Sequence, residues 1–219
     1  MFCSKVVLGF VLRWEVLIRS DDYIKLRRWI DQLRSDLPLE GAIDIVSMRM
    51  REGDSEEHHI LAGELADLWS EAGRDDEALQ VLGETMARYP DDVRPAISKA
   101  TKYLYDLKNP QEALRCIDVA LERAHRTLFF RREALGVKAR ILLKLGRGEQ
   151  LSDVLEEIMS LQIRKDIPDI GRERDFVDRA PPGLVRKDVL DRYNEFRPKR
   201  AGDSTADEPP EFEPPDDAQ

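Results

Sequence analysis

Cysteine is scarce. The 219 residues hold two, Cys3 and Cys116, far apart and in no CxxC or Cys/His spacing. Neither a disulfide scaffold nor a zinc site is indicated, and a reducing cytosol is the simplest compartment. Aromatic residues make up only 7% against 36% charged, a mix that suits helices laced with surface ion pairs better than a large enzyme core. Long apolar runs are missing too. The best candidate, residues 6–12 behind Lys5, is interrupted by Arg13 and Glu15. It falls far short of the roughly 20 residues that a membrane span needs, and no small-x-small cleavage site follows it. An excess of positive charge is also lacking: the formal net charge is −9, so the dominant basic field of a nonspecific nucleic-acid binder is absent. The tail, 199–219, holds two basic and seven acidic residues, net −5, which leaves −4 for the rest.

Catalytic and metal-binding patterns are equally sparse. His58 and His59 follow Glu56-Glu57, but adjacent helical residues point about 100° apart and HExxH is absent. The pair is therefore read as a solvated helix start with no metal. No nucleophile motif flankes His58, His59 or His125. Gly146-Arg147-Gly148 has no preceding strand and reads as a helix–helix turn, not a phosphate loop. Cys116 reads as a small core hydrophobe. The expectation is a protein that is not an enzyme and has no cofactor.

What is present is repetition. Gly73-Arg74-Asp75-Asp76-Glu77-Ala78-Leu79 returns as Lys108-Asn109-Pro110-Gln111-Glu112-Ala113-Leu114, and in worn form as Gly146-Arg147-Gly148-Glu149-Gln150-Leu151. The spacings are 35 residues (Ala78 to Ala113) and 38 (Ala113 to Leu151). A period near 34 residues with two helical patterns per unit marks a helix-pair solenoid.

Taken in order, residues 5–19 carry Val7, Phe10, Val11, Trp14, Leu17 and Ile18 at amphipathic-helix spacing. A second helix over 23–35 carries Leu26, Trp29, Ile30 and Leu33, and Pro38 closes a hairpin of 5–38 that loosely imitates a repeat. A weaker helix spans 42–52. Asp54-Ser55-Glu56-Glu57 has capping-box spacing and opens the first clear unit. Leu61, Leu65, Leu68 and Trp69 lie on its first helix; Asp75 is expected to cap its second, lined by Ala78, Leu79, Leu82 and Met86.

This unit resembles a tetratricopeptide (TPR) repeat: Leu65-Ala66, then Trp69, the turn glycine Gly73, Glu77-Ala78, Leu82 and the terminal Pro90 follow the family pattern. The second unit keeps Ala100, Leu104, Glu112, Ala113, Ile117 and Ala120, with Lys108 for the turn glycine. The third keeps Ala139, Leu142, Gly146, Leu155 and Ile158, with Lys138 at the usual leucine and Leu151 at the usual alanine, which leaves its inter-helix packing open. The resemblance covers about half the chain and implies an all-α, TPR-type helix-pair solenoid. The organisation expected is an N-terminal helical hairpin plus short helix (1–53), three repeats (54–165, at 59–92, 94–127 and 132–165), C-terminal capping helices (166–198, with 172–197 as the cover) and a disordered acidic, proline-rich tail (199–219).

The resemblance further implies that the first helices line a concave groove. Carried over, the lining residues are Asp67, Ser70 and Glu71, then Lys102, Tyr105 and Asp106, then Gly136, Arg140 and Lys144, with Arg147 beyond them. The first helix of unit three is basic, with Arg131, Arg132, Lys138, Arg140, Lys144 and Arg147 against Glu133. Arg140, Lys144 and Arg147 fall within about 60° of one another on an ideal helix. One reading is a solvated charged face; the other is a contact for an acidic peptide or for the acidic tail itself. The Lys and Asn of the groove that grips chaperone C-termini are not at 67, 70 and 71. The function implied is a cytoplasmic protein-interaction adaptor or scaffold with a protein or peptide ligand, and with neither nucleic acid nor membrane as partner. A secretion-type chaperone, or an assembly subunit that forms a homodimer through the hairpin around Phe10, Trp14 and Trp29, are the alternatives.

Overall fold

Small residues where two helices cross allow close approach, and they decide the architecture. The computed structural model describes residues 24–52, 55–124, 128–162, 177–178 and 180–196. The helix read over 5–19 and the tail 199–219 lie outside these, as does nearly all of the short helix read over 172–179. The described elements are α1 (24–36), α2 (Leu39–Glu52), α3 (Ser55–Glu71), α4 (Asp75–Arg88), α5 (Arg94–Tyr105), α6 (Pro110–Arg123), α7 (Leu128–Leu145), α8 (Gly148–Gln162) and α9 (Lys187–Phe196), with no strand among the described residues.

Consecutive helices pack as antiparallel pairs along the chain. Ala66 and Ala78 are fully buried where α3 meets α4, and Ala100 and Ala113 where α5 meets α6. In the third pair, Leu151 stands in the place of alanine, and its larger side chain is still fully buried in one cluster with Ala139, Leu142 and Leu155. The α7–α8 pair thus packs despite its worn sequence. Lys138 spans back to α6 instead of entering the core, its Nζ 2.7 Å from Asp118 Oδ1.

Each of these three pairs turns through a residue with positive φ placed two positions before its second helix: Gly73 at 72°, Lys108 at 53° and Gly146 at 65°. The first and third turns share one hydrogen-bond pattern. Arg74 N donates to Trp69 O and Gly73 N to Ser70 O; Arg147 N donates to Leu142 O and Gly146 N to Leu143 O. These are the paired bonds that satisfy the last carbonyls of a helix that ends in a left-handed residue. At the second helices the caps differ from expectation. Asn109 accepts a hydrogen bond from Glu112 N at 3.2 Å, ahead of Pro110 in the first helical position. Asp75, by contrast, is already helical, and its flanking residue Arg74 makes no capping bond. The Arg74 guanidinium lies over the Trp69 ring, 3.9 Å from its centroid, and its Nε donates to Glu77 at 2.8 Å.

The N-terminal pair is α1 with α2. Leu26 and Ile30 share one core cluster with Ala42, Ile43 and Val46 of α2 and with Leu61, Leu65, Leu82 and their neighbours of α3 and α4. Among the described residues α1 pairs with α2 through a turn at Leu37-Pro38; the first half of the hairpin expected over 5–38 lies outside them. Proline stops α1, and α2 restarts at once, with Ala42 N donating to Pro38 O. The side of α1 away from this cluster is polar, with Lys25, Arg28, Asp31, Gln32 and Ser35 exposed.

At the other end of the described residues, the last core is also covered. Val177, Val185, Val189 and Tyr193 close over Leu151, Val154, Leu155 and Ile158. Gly148 makes the cover possible, because a Cβ there would run into the Leu184 carbonyl. Ser152 Oγ accepts from Arg186 N at 3.0 Å, and the Arg186 side chain reaches Asp153 at 3.0 Å and Glu156 at 3.2 Å.

Candidate functional site

The first helices of the pairs approach one another, α3 against α5 and α5 against α7, while the second helices keep no comparable contact. An array whose first helices crowd and whose second helices splay curves toward the first-helix face. That face is the concave side, and the residues read from the sequence as groove-lining can be placed on it.

Asp67, Lys102 and Asp106 come together. Lys102 Nζ lies 2.8 Å from Asp67 Oδ1 and 3.3 Å from Asp106 Oδ2, with its side chain only 7% exposed against 55% for Asp67. The lysine is thus held by two carboxylates of its own chain, while both carboxylates still face solvent. Tyr105 is exposed beside them at 41%. Glu71 is paired with Arg34 of α1 at 2.8 Å, and the Ser70 hydroxyl oxygen is buried without a hydrogen-bond partner. A parallel pair joins Arg27 to Glu64 at 3.7 Å. Burial pushes the Glu64 carboxyl above its ordinary pKa, with Arg27 pulling the other way. Ion pairs therefore link α1 to α3 and α3 to α5 along this face. Arg27, Arg34 and Glu64 were missed in the sequence, because α1 was taken as half of a separate hairpin and not as a neighbour of α3.

The basic residues of the third unit do not share one face. Arg131 Nε donates to Glu157 of α8 at 2.6 Å, Lys138 reaches Asp118 of α6, and Arg132 is fully buried. Arg147 lies beyond the end of α7, in the turn, with its guanidinium 3.3 Å from Gln111 Oε1. The arc expected for Arg140, Lys144 and Arg147 assumed a helix that continues through 147, and α7 stops at Leu145. Gly136 is buried, Arg140 is half-buried, and Lys144 is exposed in the last turn of α7.

The two histidines depart most from expectation. His58 is 5% exposed, its Nδ1 3.1 Å from the Met50 carbonyl oxygen and its ring 5.0 Å from that of Tyr89. Burial pushes its pKa below the ordinary value, the Met50 carbonyl raises it and nearby Arg88 lowers it further. His59 Nδ1 faces Asp92 Oδ2 at 3.6 Å. Burial would raise the Asp92 carboxyl, but hydrogen bonds from the Arg94 side chain and backbone outweigh that and hold it below the usual range. The solvated reading fails because the chain turns back so tightly after α2 that the start of α3 lies against the ends of α2 and α4.

Among the described residues, no three His, Cys, Asp or Glu side chains gather as a metal site, and no helix is long and apolar enough to cross a membrane. Burial raises the pKa of Cys116, which packs against the α5–α6–α7 core.

No protein-family model matches the chain, and no curated protein matches it. Two crystal structures do, both from Podosopora anserina and described as a putative kinesin light chain with nearly identical TPR-like repeats, one of them a variant of the other. Each aligns with a TM-score of 0.53 at 16% identity over 80% of this chain, covering 92% of one and 93% of the other. At that identity the likeness speaks to the fold alone, which is a TPR-like helical repeat.

Proposed function

We propose that this chain is a protein-interaction scaffold, without catalytic activity, that holds a peptide or helix of a partner protein on the concave face of α3, α5 and α7. One observation carries the reading. Three first helices lie side by side, and Asp67, Glu71, Tyr105, Asp106 and Lys144, on them or at their ends, are exposed. Such a face offers length and charge for a polypeptide, not the enclosure that a small substrate needs. The partner segment is anionic where it meets the α7 end, at Arg140, Lys144 and Arg147, since these cations favour carboxylates. The acidic tail, 199–219, with seven acidic residues against two basic, competes for the same end. The setting is cytoplasmic.

Affinity purification with the wild type and an Arg140→Glu/Lys144→Glu variant, read by mass spectrometry, tests this. Partners retained by the wild type should fall at least tenfold with the variant, and deletion of 199–219 should raise their recovery most at low salt. An unchanged partner set across all three proteins would sink the proposal.

A further inference from the structure

The repeat register sets three charges in one row. Glu71, Asp106 and Lys144 are 35 and 38 residues apart, the spacings that also separate Ala78, Ala113 and Leu151. Each therefore stands at the same place in its unit, at the end of α3, just past the end of α5 and in the last turn of α7. Arg34 closes off Glu71 at 2.8 Å. Asp106 is held differently. Its Oδ2 lies 3.3 Å from Lys102 Nζ, and Asp67 of α3 meets the same ammonium through Oδ1 at 2.8 Å. One oxygen of each aspartate is thus engaged by the lysine, whereas a carboxylate accepts through both. The lysine is buried and the aspartates are about half exposed. Two carboxylates against one ammonium make a fork of net charge −1 that is open to solvent and held in place by Lys102. Tyr105 stands next to Asp106 in the chain. Of the three large apolar or aromatic side chains exposed among the described residues, it is the one outside α1 and α2.

We propose that this fork seats an arginine side chain of the partner segment, so that the segment crosses the first helices in a fixed order of charge, arginine over α3 and α5 and carboxylate over α7. The inference rests on the concave-face reading given above and adds the cation to it. Charge complementarity favours a guanidinium in three ways. It is planar and donates to two carboxylates at once, and the oxygens that Lys102 leaves open only accept. Its flat face lies well on an aromatic ring, which Tyr105 offers beside the fork. The fork also stays negative with Lys102 counted, whereas Lys144, the next charge in the row, is positive and exposed.

The helix spacing turns this order into a sequence pattern. Packed helices lie about 8–10 Å apart, a step that an extended chain covers in about three residues. The segment recognised therefore carries arginine with aspartate or glutamate about three residues away. A segment that is acidic throughout is repelled at Asp67 and Asp106, and one that is basic throughout is repelled at Lys144.

Selection of a random dodecapeptide library, displayed on phage, against the full chain reads this pattern. Arginine should be enriched about fivefold over the unselected library, with an acidic residue about three positions from it. Asp106→Asn, which leaves Lys102 its shorter bond to Asp67, should abolish the arginine enrichment and keep the acidic one. Tyr105→Ser, at an exposed side chain, should reduce the arginine enrichment and decides the matter if Asp106→Asn does not fold. Acidic enrichment without arginine, or arginine enrichment unchanged in both variants, would overturn the fork and leave the concave-face reading standing. Arginine enrichment that appears only in an Arg200→Ser variant would give the fork to the chain's own tail and overturn a partner as its occupant. No enrichment of any peptide would overturn the fork and the concave-face reading together.

Discussion

Lys102 of α5 and Asp67 of α3 form a tie between consecutive first helices, 2.8 Å long, with the lysine buried and the aspartate open to solvent. A lysine that the TPR resemblance places in the groove is thereby turned inward, and what that part of the face presents to solvent is carboxylate. The second carboxylate, Asp106, lies one turn further on, just past the end of α5, and shares the same ammonium. This arrangement gives the concave face an anionic middle that the count of charges along the sequence does not reveal.

The tie should be measurable as a coupling. Both carboxylates are well exposed, so solvent screening reduces the pair far below a fully buried ion pair. In a double-mutant cycle with Asp67→Asn and Lys102→Met, urea unfolding should give a coupling of about 1 kcal/mol. A coupling within about 0.3 kcal/mol of zero would mean that Asp106 alone holds the lysine and that the α3–α5 tie is dispensable.

Lys108 occupies the left-handed turn position that glycine fills in the units before and after it. A side chain there costs about 1 kcal/mol, offset in part by the bond from its Nζ to the Tyr105 carbonyl. Lys108→Gly should therefore raise stability by about 0.5 kcal/mol, and Gly73→Ala should lower it by about 1 kcal/mol. Thermal or urea melts would show the two variants moving in opposite directions; a destabilised Lys108→Gly would mean that the lysine bond outweighs the strain.

Much of this fold was legible because repeat units restate their local rules. Turn glycines at 73 and 146, paired alanines at 66 and 78 and at 100 and 113, and Pro110 after Asn109 all act within a few residues, and the structure keeps each. The positive φ of Lys108 was legible only through register, since lysine itself gives no such signal. Less legible was whatever depends on which helix lies next to which. The partners of Arg131 and Lys138 are 26 and 20 residues away, so a basic stretch in sequence became cations pointing to two different helices, α8 and α6. His58 looked exposed for the same reason: its burial comes from α2 and α4, not from its own helix. The packing of the helix read over 23–35 on α2 was not foreseen, because α2 carries weak periodicity and only Leu37-Pro38 marked the turn.

The close approach at Gly148 predicts how the C-terminal cover is held. A methyl group there meets the Leu184 backbone carbonyl, which is not the free end of a flexible side chain and cannot swing aside. Gly148→Ala should displace the segment around 184–186 and break the bond from Arg186 N to Ser152 Oγ. Helix propensity alone would favour alanine by about 1 kcal/mol; the clash should reverse the sign to a loss of about 1–3 kcal/mol. Hydrogen exchange would find that loss concentrated in α9 and the end of α8. A stabilised variant would show that the cover does not sit on α8 in this way.

The Asp92–Arg94 pair makes a pH prediction of its own. Burial raises the Asp92 carboxyl and the Arg94 hydrogen bonds more than reverse that, so its folded pKa lies below the ordinary 3.8. A depressed carboxyl contributes stability that is present above the ordinary value and is lost as pH falls through the folded one. Charge-assisted hydrogen bonds of this kind contribute about 1.5–3 kcal/mol. Arg94→Met should accordingly destabilise the chain by about 2 kcal/mol near pH 7 and by progressively less as pH falls below 3.8 toward the lowered folded value of Asp92. The residual difference at low pH reports the guanidinium's contact with the Phe130 ring, 5.3 Å from its centroid, which does not titrate. Unfolding free energies of the two proteins from about pH 2 to 7 should therefore converge on acidification, and parallel curves would show that Arg94 acts through the ring and not through Asp92.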